Sequence, residues 1–458
     1  MTWGDPTSGG DCSNVLDKLL KDADKIYSTG YAFAAVKKSG EVVTWGDAGS
    51  GGDSSLVAEK IDRNVVKMYS TNSAFAALKL DGSVVTWGAE GSGGDSDFES
   101  FNLHSGVISV SSTQRAFCAV RSDGSAVAWG SPSSGGDLSS VAYDVRKNIK
   151  VVFASGYAFA ALKKNGRVVT WGDPMGGGDS SEVKSLLLSG VIGIYSAYAA
   201  FAALKSDGSV VAWGNKQFGA DLSAVEDKLQ SGVVTICAAD NAFAALKEDG
   251  SVVVWGYADG GGDASKVTSQ LSKDVVALYS ASAAFAAVKA DGSVVTWGYV
   301  DGGGDSTAVK EGLSCCVTAI FSTQGAFAAL RNDGRLVTWG SQTFGGDSRS
   351  VAREIATGVS EVYTALAAFA VKKSDGTVVS WGYPEYGGDS SYVKSLLKDV
   401  HSISANSLYN SGHVKIIKPL PKSQSPSVSS STTITTRKSQ KTVEVVTSHT
   451  TDSAEKKA

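Results

Sequence analysis

The chain has 458 residues, of which 42% are hydrophobic and 19% charged, and its formal net charge is -4. Such a composition suits a globular protein and lacks the basic footprint of a nucleic-acid binder. No apolar run reaches the length needed to cross a membrane as a helix, and 53 glycines imply many tight turns.

The opening stretch "MTWGDPTSGGD" returns downstream as "VTWGDAGSGGD" and "VTWGDPMGGGD". It belongs to a ruler that runs through most of the chain. All ten tryptophans sit in Trp-Gly pairs, Trp3, Trp45, Trp87, Trp129, Trp171, Trp213, Trp255, Trp297, Trp339 and Trp381, at a constant step of 42 residues. The Gly-Gly-Asp aspartates from Asp11 to Asp389 and the phenylalanines from Phe33 to Phe369 keep the same step. A fixed period of this length marks a repeat architecture.

Within one unit, residues 263–304, "VVALYS" is β-branched and aromatic, "AFAAVK" is apolar, and "SVVTWG" follows Asp291-Gly292. Two strands joined by Asp-Gly predict a hairpin with a type I′ turn. After the glycines, "DSSEVKSLLLSG" places Val183, Leu186 and Leu187 at helical spacing, with Asp179 as cap and Glu182 completing a capping box. Three strands plus a two-turn helix are expected per unit.

The pattern decays from residue 400. "KDVHSIS" (398–404) resembles a first strand, and "HVKII" is a candidate for another. The domain reading is a repeat propeller over 1–404, a degenerate repeat end over 405–418, and a disordered Ser/Thr-rich tail over 419–458. Met1–Gly4 reads as a third strand without its first two. Pairing of the two ends would complete a tenth unit and close a ring, and a truncated array is the alternative.

The run "AFAALKSDGSVVAWG" (200–214), followed by a glycine-containing element, resembles the repeat of the regulator of chromosome condensation family. The resemblance covers nearly all of residues 1–399 and implies an all-β fold with short helices: a β-propeller of 42-residue units, nine of them complete. Propellers usually have 4–8 blades, so an open superhelical array is the alternative. Two departures limit what carries over. Ala-Phe, as at Ala74-Phe75, stands where the family usually has His-Thr, and the unit number exceeds the usual seven. The family also includes a plant ultraviolet-B receptor with extra tryptophans. The matching positions here, Gly30, Asn72, Gln114, Gly156, Tyr198, Asp240, Ser282, Gln324 and Leu366, disfavour a light-sensing role.

A large aromatic at one place per unit fills the space between blades. Trp45, Trp87, Trp129, Trp171, Trp213, Trp255, Trp297, Trp339 and Trp381 are therefore read as structural. Cys12, Cys118, Cys237, Cys315 and Cys316 form no CxxC pair and fall at unrelated places in the repeat, so they are read as free thiols, with redox chemistry of the vicinal Cys315–Cys316 pair as the alternative. His104, His401, His413 and His449 are the only histidines, with no Gly-x-Ser-x-Gly elbow and no phosphate loop. No catalytic residue, cofactor or metal is expected. The Gly-Gly-Asp aspartates are assigned to capping rather than calcium.

Between units the framework repeats while two loops vary. Tyr31, Arg115, Tyr157, Tyr198 and Asp240 lie in or beside the loop before Phe, and Phe218, Tyr257, Tyr299, Phe344, Tyr383 and Tyr386 in the loop after Trp-Gly. Exposed tyrosine and arginine are frequent interface anchors. The expectation is a non-enzymatic scaffold binding a protein partner through these loops, monomeric, without nucleic acid or membrane partners, and cytoplasmic or nuclear. The alternative is a guanine-nucleotide exchange regulator or a ubiquitin-ligase-associated recognition module, as the resemblance permits.

Overall fold

A computed structural model describes residues 2, 4–20, 22–398 and 400, together with the backbone of His413–Lys415. The expected strand at 398–404 lies almost wholly outside these residues, as does the tail at 419–458. Nine antiparallel sheets follow one another, each with its three repeat strands in the order first, second, third; eight have these three alone, and the seventh has a fourth strand, His413–Lys415. Their first strands are Ala23–Ser28, Val65–Ser70, Val107–Ser112, Ile149–Ala154, Val191–Ser196, Val233–Ala238, Val275–Ser280, Val317–Ser322 and Val359–Thr364, defining units one to nine. The architecture is all-β, a tandem array of 42-residue units with short helices.

One register serves every unit. In the fifth, Ala200–Lys205 pairs with Val210–Gly214 so that Phe201 faces Trp213 across the ladder. Phe33 and Trp45 pair likewise in the first unit and Phe369 and Trp381 in the ninth. Each first strand carries a register shift at its second residue, as between Val191 and Gly193. Such a bulge bends the strand without turning the buried face outward.

The hairpin turns differ from the expected type I′. At Asp81-Gly82 only the glycine is left-handed, with φ 78°. Gly82 N–H donates to Lys79 O at 3.0 Å and Lys79 N–H to Ser83 O at 2.9 Å, while Asp81 Oδ1 accepts from Ser83 N at 2.9 Å. This is a three-residue loop closed by a glycine bulge. Asp-Gly serves both turn types, and the aspartate's bond to Ser83 holds the second one.

The expected two-turn helix is a 3-10 segment, Ser181–Leu187 in the fifth unit. Its period near three places Leu187 in the core but leaves Leu186 exposed, against the expectation that both face inward. Asp179 still closes the turn, accepting from Ser181 N at 2.8 Å. Ser180, the residue at the cap, contributes no capping bond, its hydroxyl being paired with Thr170 Oγ1 at 2.9 Å.

The core lies between consecutive sheets. Phe153, Ala158, Ala160, Leu162 and Val168 of the fourth unit pack on Leu187, Val191, Ile194, Phe201, Ala203 and Trp213 of the fifth. Alanines on one face and Phe with Trp on the other let the sheets approach closely. Burial of each aromatic contributes about 2–3 kcal/mol.

First strands converge on a common axis. There, Gly30 N–H donates to Asn72 O, Gln114 to Gly156, Tyr198 to Asp240 and Gln324 to Leu366, at 2.8–3.0 Å. Consecutive units are thus joined by main chain at their inner ends. The N-terminal segment meets the ninth unit: Asp5 N–H donates to Glu385 O at 2.9 Å and Gly4 N–H to Tyr392 Oη at 3.2 Å. Gly4 also lies against Gly387 N, as Gly46 does against Gly9 N and Gly88 against Gly51 N. The array therefore curls back far enough for its beginning to touch its last complete unit.

Cys315 and Cys316 form a vicinal disulfide, correcting the expectation of five free thiols. Adjacent residues need no long-range convergence, so repeat spacing could not reveal the pair. Cys12, Cys118 and Cys237 are buried thiols. No helix among the described residues is long and apolar enough to cross a membrane.

Candidate protein-binding face

The two variable loops share one face because the backbone ties them together. Tyr257 N–H donates to Asn241 O at 2.9 Å, Tyr299 to Ala283 O at 2.8 Å and Tyr383 to Ala367 O at 2.9 Å. Side chains below add a second tie, with Thr113 Oγ1 donating to Ser134 O at 3.0 Å and Ser155 Oγ to Gly176 O at 2.8 Å. Each loop after Trp-Gly ends on a left-handed glycine, such as Gly261 with φ 98°, and all but the one at 341–345 form a single 3-10 turn. A side chain carried there is held by main chain, so its contact surface loses little freedom on binding.

Tyr198 is the centre of one group. Its hydroxyl shares a 2.6 Å hydrogen bond with Tyr157 Oη and accepts from Gln114 Nε2 at 3.3 Å. Its ring stands edge-on to Tyr157 at 5.4 Å and stacks on Phe218 at 5.9 Å. All three rings are partly buried, so this group is a preformed aromatic floor rather than a set of independent anchors.

Asp240 follows Tyr198 in the axial series. Packing around its carboxyl pushes its pKa up to about 6, opposed by a hydrogen bond from Ser282. Burial disfavours the charged form, and the hydroxyl only partly compensates.

A second group is a row. Tyr257 and Tyr299 occupy equivalent places in successive units and are each 51% exposed. Tyr383 is two units further along, its ring 5.7 Å from that of exposed Tyr386. Tyr31 and Arg115 are exposed but belong to earlier units. Phe344 points inward instead, its ring 3.2 Å from where a Cβ on Gly325 would be and among the partly buried residues beside the eighth and ninth units' core.

Gln114 and Ser282 escaped the sequence reading as parts of this face, since both fall at positions where only the missing tryptophans drew notice. Phe98 and Phe101, exposed on the segment after Gly-Gly-Asp and outside the two variable loops, were also missed, because a core-facing helix was expected there. The tryptophans assigned to structure are buried, each donating its indole N–H to a glycine carbonyl of the preceding unit, from Trp45 to Gly9 at 3.0 Å through Trp381 to Gly345 at 2.9 Å. Among the described residues, no group of three or more His, Cys, Asp or Glu is placed to hold a metal ion.

No family model and no curated protein matches the chain. Solved structures similar to it include Prp20p of Saccharomyces cerevisiae, at 17% identity over 68% of this chain and 93% of that one, with a TM-score of 0.35. Yeast Prp20 bound to Kap60 aligns at 15% identity over 52% of this chain and 70% of that one, with a TM-score of 0.33. Human WBSCR16 aligns at 17% identity over 70% and 78%, with a TM-score of 0.30. Overlaps this partial say nothing of what the chain binds. The repeat unit itself, with its small-residue strand, Asp-Gly turn, Trp-Gly strand and glycine loop, makes this a chain of tandem repeats similar to those of the regulator of chromosome condensation family.

Proposed function

We propose that the chain is a non-enzymatic interaction module that captures a protein partner on the loop face. The observation that carries this reading is the exposed row of Tyr257, Tyr299 and Tyr386 on loops pinned by backbone hydrogen bonds. Tyrosine offers a large contact area with few rotatable bonds, and a rigid mount lowers the entropy cost of ordering it. The partly buried floor of Tyr157, Tyr198 and Phe218 supports the same reading by providing apolar surface beside polar groups.

Capture from a soluble extract, followed by mass spectrometry of what is retained, tests the proposal. Combined substitution of Tyr257, Tyr299 and Tyr386 by Ala is expected to weaken capture at least about tenfold while leaving the thermal transition unchanged. Equal capture by this variant would remove the row from consideration. A nucleotide-release assay against a panel of small GTPases addresses the exchange-regulator reading, and stimulated release would sink a scaffold-only role.

A further inference from the structure

We propose that the axis-facing edges of the first strands form a strand-accepting site, and that the chain's own segment His413–Lys415 is its tethered occupant. The sheet order in the seventh unit is third, second, first strand and then His413–Lys415, so the added strand lies on the edge facing the axis. It runs antiparallel to Val275–Ser280, with Ala277 opposite Lys415, Leu278 opposite Val414 and Tyr279 opposite His413. Of the candidate strand "HVKII", the described residues His413–Lys415 join the seventh unit.

Charge narrows the choice of edge to five units. Charged residues on an exposed strand edge discourage addition of another strand. The first strands of units one, two, four and nine carry such residues: Asp24 and Lys25, Lys67, Lys150, and Glu361. The first strands of units three, five, six, seven and eight carry none, so Val275–Ser280 is one of five edges without this barrier. Burial follows the added strand: Ala277 is buried, whereas Ala319, the same position one unit later, is half-exposed. At the bulge position, Val66, Ile108 and Ile192 are 42%, 58% and 56% exposed, while Val234 and Val276 beside the added strand are half-buried.

Backbone pairing supplies the binding, as in other strand additions, and side-chain identity matters less than an available N–H. An extended partner segment reaching the edge of the seventh unit must displace the tethered strand. The segment is therefore a built-in competitor for the axial channel.

The test uses the full chain and V414P, since proline removes the donor and disfavours a paired strand. Val414 belongs only to the added strand, so the substitution leaves the three repeat strands of every unit unaltered in sequence. In V414P, hydrogen exchange across Val275–Ser280 is expected to quicken about tenfold or more, with Val191–Ser196 unchanged. A fluorescent peptide of residues 407–417 is expected to bind V414P more tightly than the unsubstituted chain, and the same peptide with proline at 414 to bind neither. Unchanged exchange over Val275–Ser280, or equal peptide binding by both chains, would overturn the proposal.

Discussion

Trp213 donates its indole N–H to the carbonyl oxygen of Gly177, 3.1 Å away and 36 residues earlier in the chain. The bond crosses from the third strand of the fifth unit to the glycine loop that follows the fourth. Trp213 also stacks on Phe201, with ring centres 5.3 Å apart, so one residue ties its own sheet and the loop of the preceding unit. Nine such bonds recur at the same offset, which makes each unit's stability depend on its neighbour.

Two substitutions separate the bond from the packing. W213F keeps an aromatic ring but leaves Gly177 O without its donor, for an expected loss of about 1–2 kcal/mol. W213A empties the interface and is expected to cost about 3–5 kcal/mol. Urea unfolding gives the totals, and hydrogen exchange over residues 191–214 shows whether the loss is local.

Gly177 is required by conformation and by space. Its φ is +96°, and a Cβ would lie 2.6 Å from Phe201 Cδ2. G177A is expected to destabilise by about 2–4 kcal/mol, combining backbone strain with overpacking. G49A is the control, because its Cβ would meet nothing nearer than Asp47 Oδ2 at 3.6 Å. A near-neutral G177A in thermal or urea unfolding would contradict this account.

Asp240 makes stability depend on pH in a direction opposite to the usual carboxylate. Its folded pKa is raised from 3.8 to about 6, so between these values the folded chain holds a proton that the unfolded chain has released. Its contribution is full below pH 4, declines as pH rises to about 6, and is flat above; the total change is about 3 kcal/mol. D240N should flatten this slope and raise stability at neutral pH. Unfolding midpoints measured from pH 4 to 8 check both, and an identical slope in D240N would exclude Asp240 as its source.

The return of the N-terminal segment to the ninth unit predicts a cooperative effect at a distance. Removing residues 1–10 eliminates the bonds from Gly4 and Asp5 to Tyr392 and Glu385. If these close a ring, the melting temperature should fall by about 5 °C or more, given roughly 2–4 °C per kcal/mol in a large domain. Exchange over residues 383–392 should rise with it. An unchanged transition would point to an open array.

The loop residues show where sequence reading succeeded and failed. Variation at a fixed place in the repeat pointed to Tyr257 and Tyr299, which the structure exposes side by side in successive units. The same signal pointed to Phe344, which turns inward over Gly325, and to Tyr198, whose hydroxyl and ring are engaged by Tyr157, Gln114 and Phe218. Variation marks a position as free of the framework's demands, but neighbours in the same and adjacent units decide whether the side chain reaches solvent. Leu186 illustrates a different limit: a helical period was read where i to i+3 bonding rotates the residue outward.

The sequence by itself determined the unit, its three strands and its number of complete copies. These are local properties, set by periodic apolar residues, Asp-Gly turns and glycines with no steric alternative. Tertiary structure alone decided that the indole of one unit bonds a glycine of the one before, that Gly4 and Asp5 meet the ninth unit, and that His413–Lys415 joins the seventh. Those contacts span tens to hundreds of residues between groups whose chemistry is common to every repeat. Only the curvature accumulated over many units brings the particular partners together.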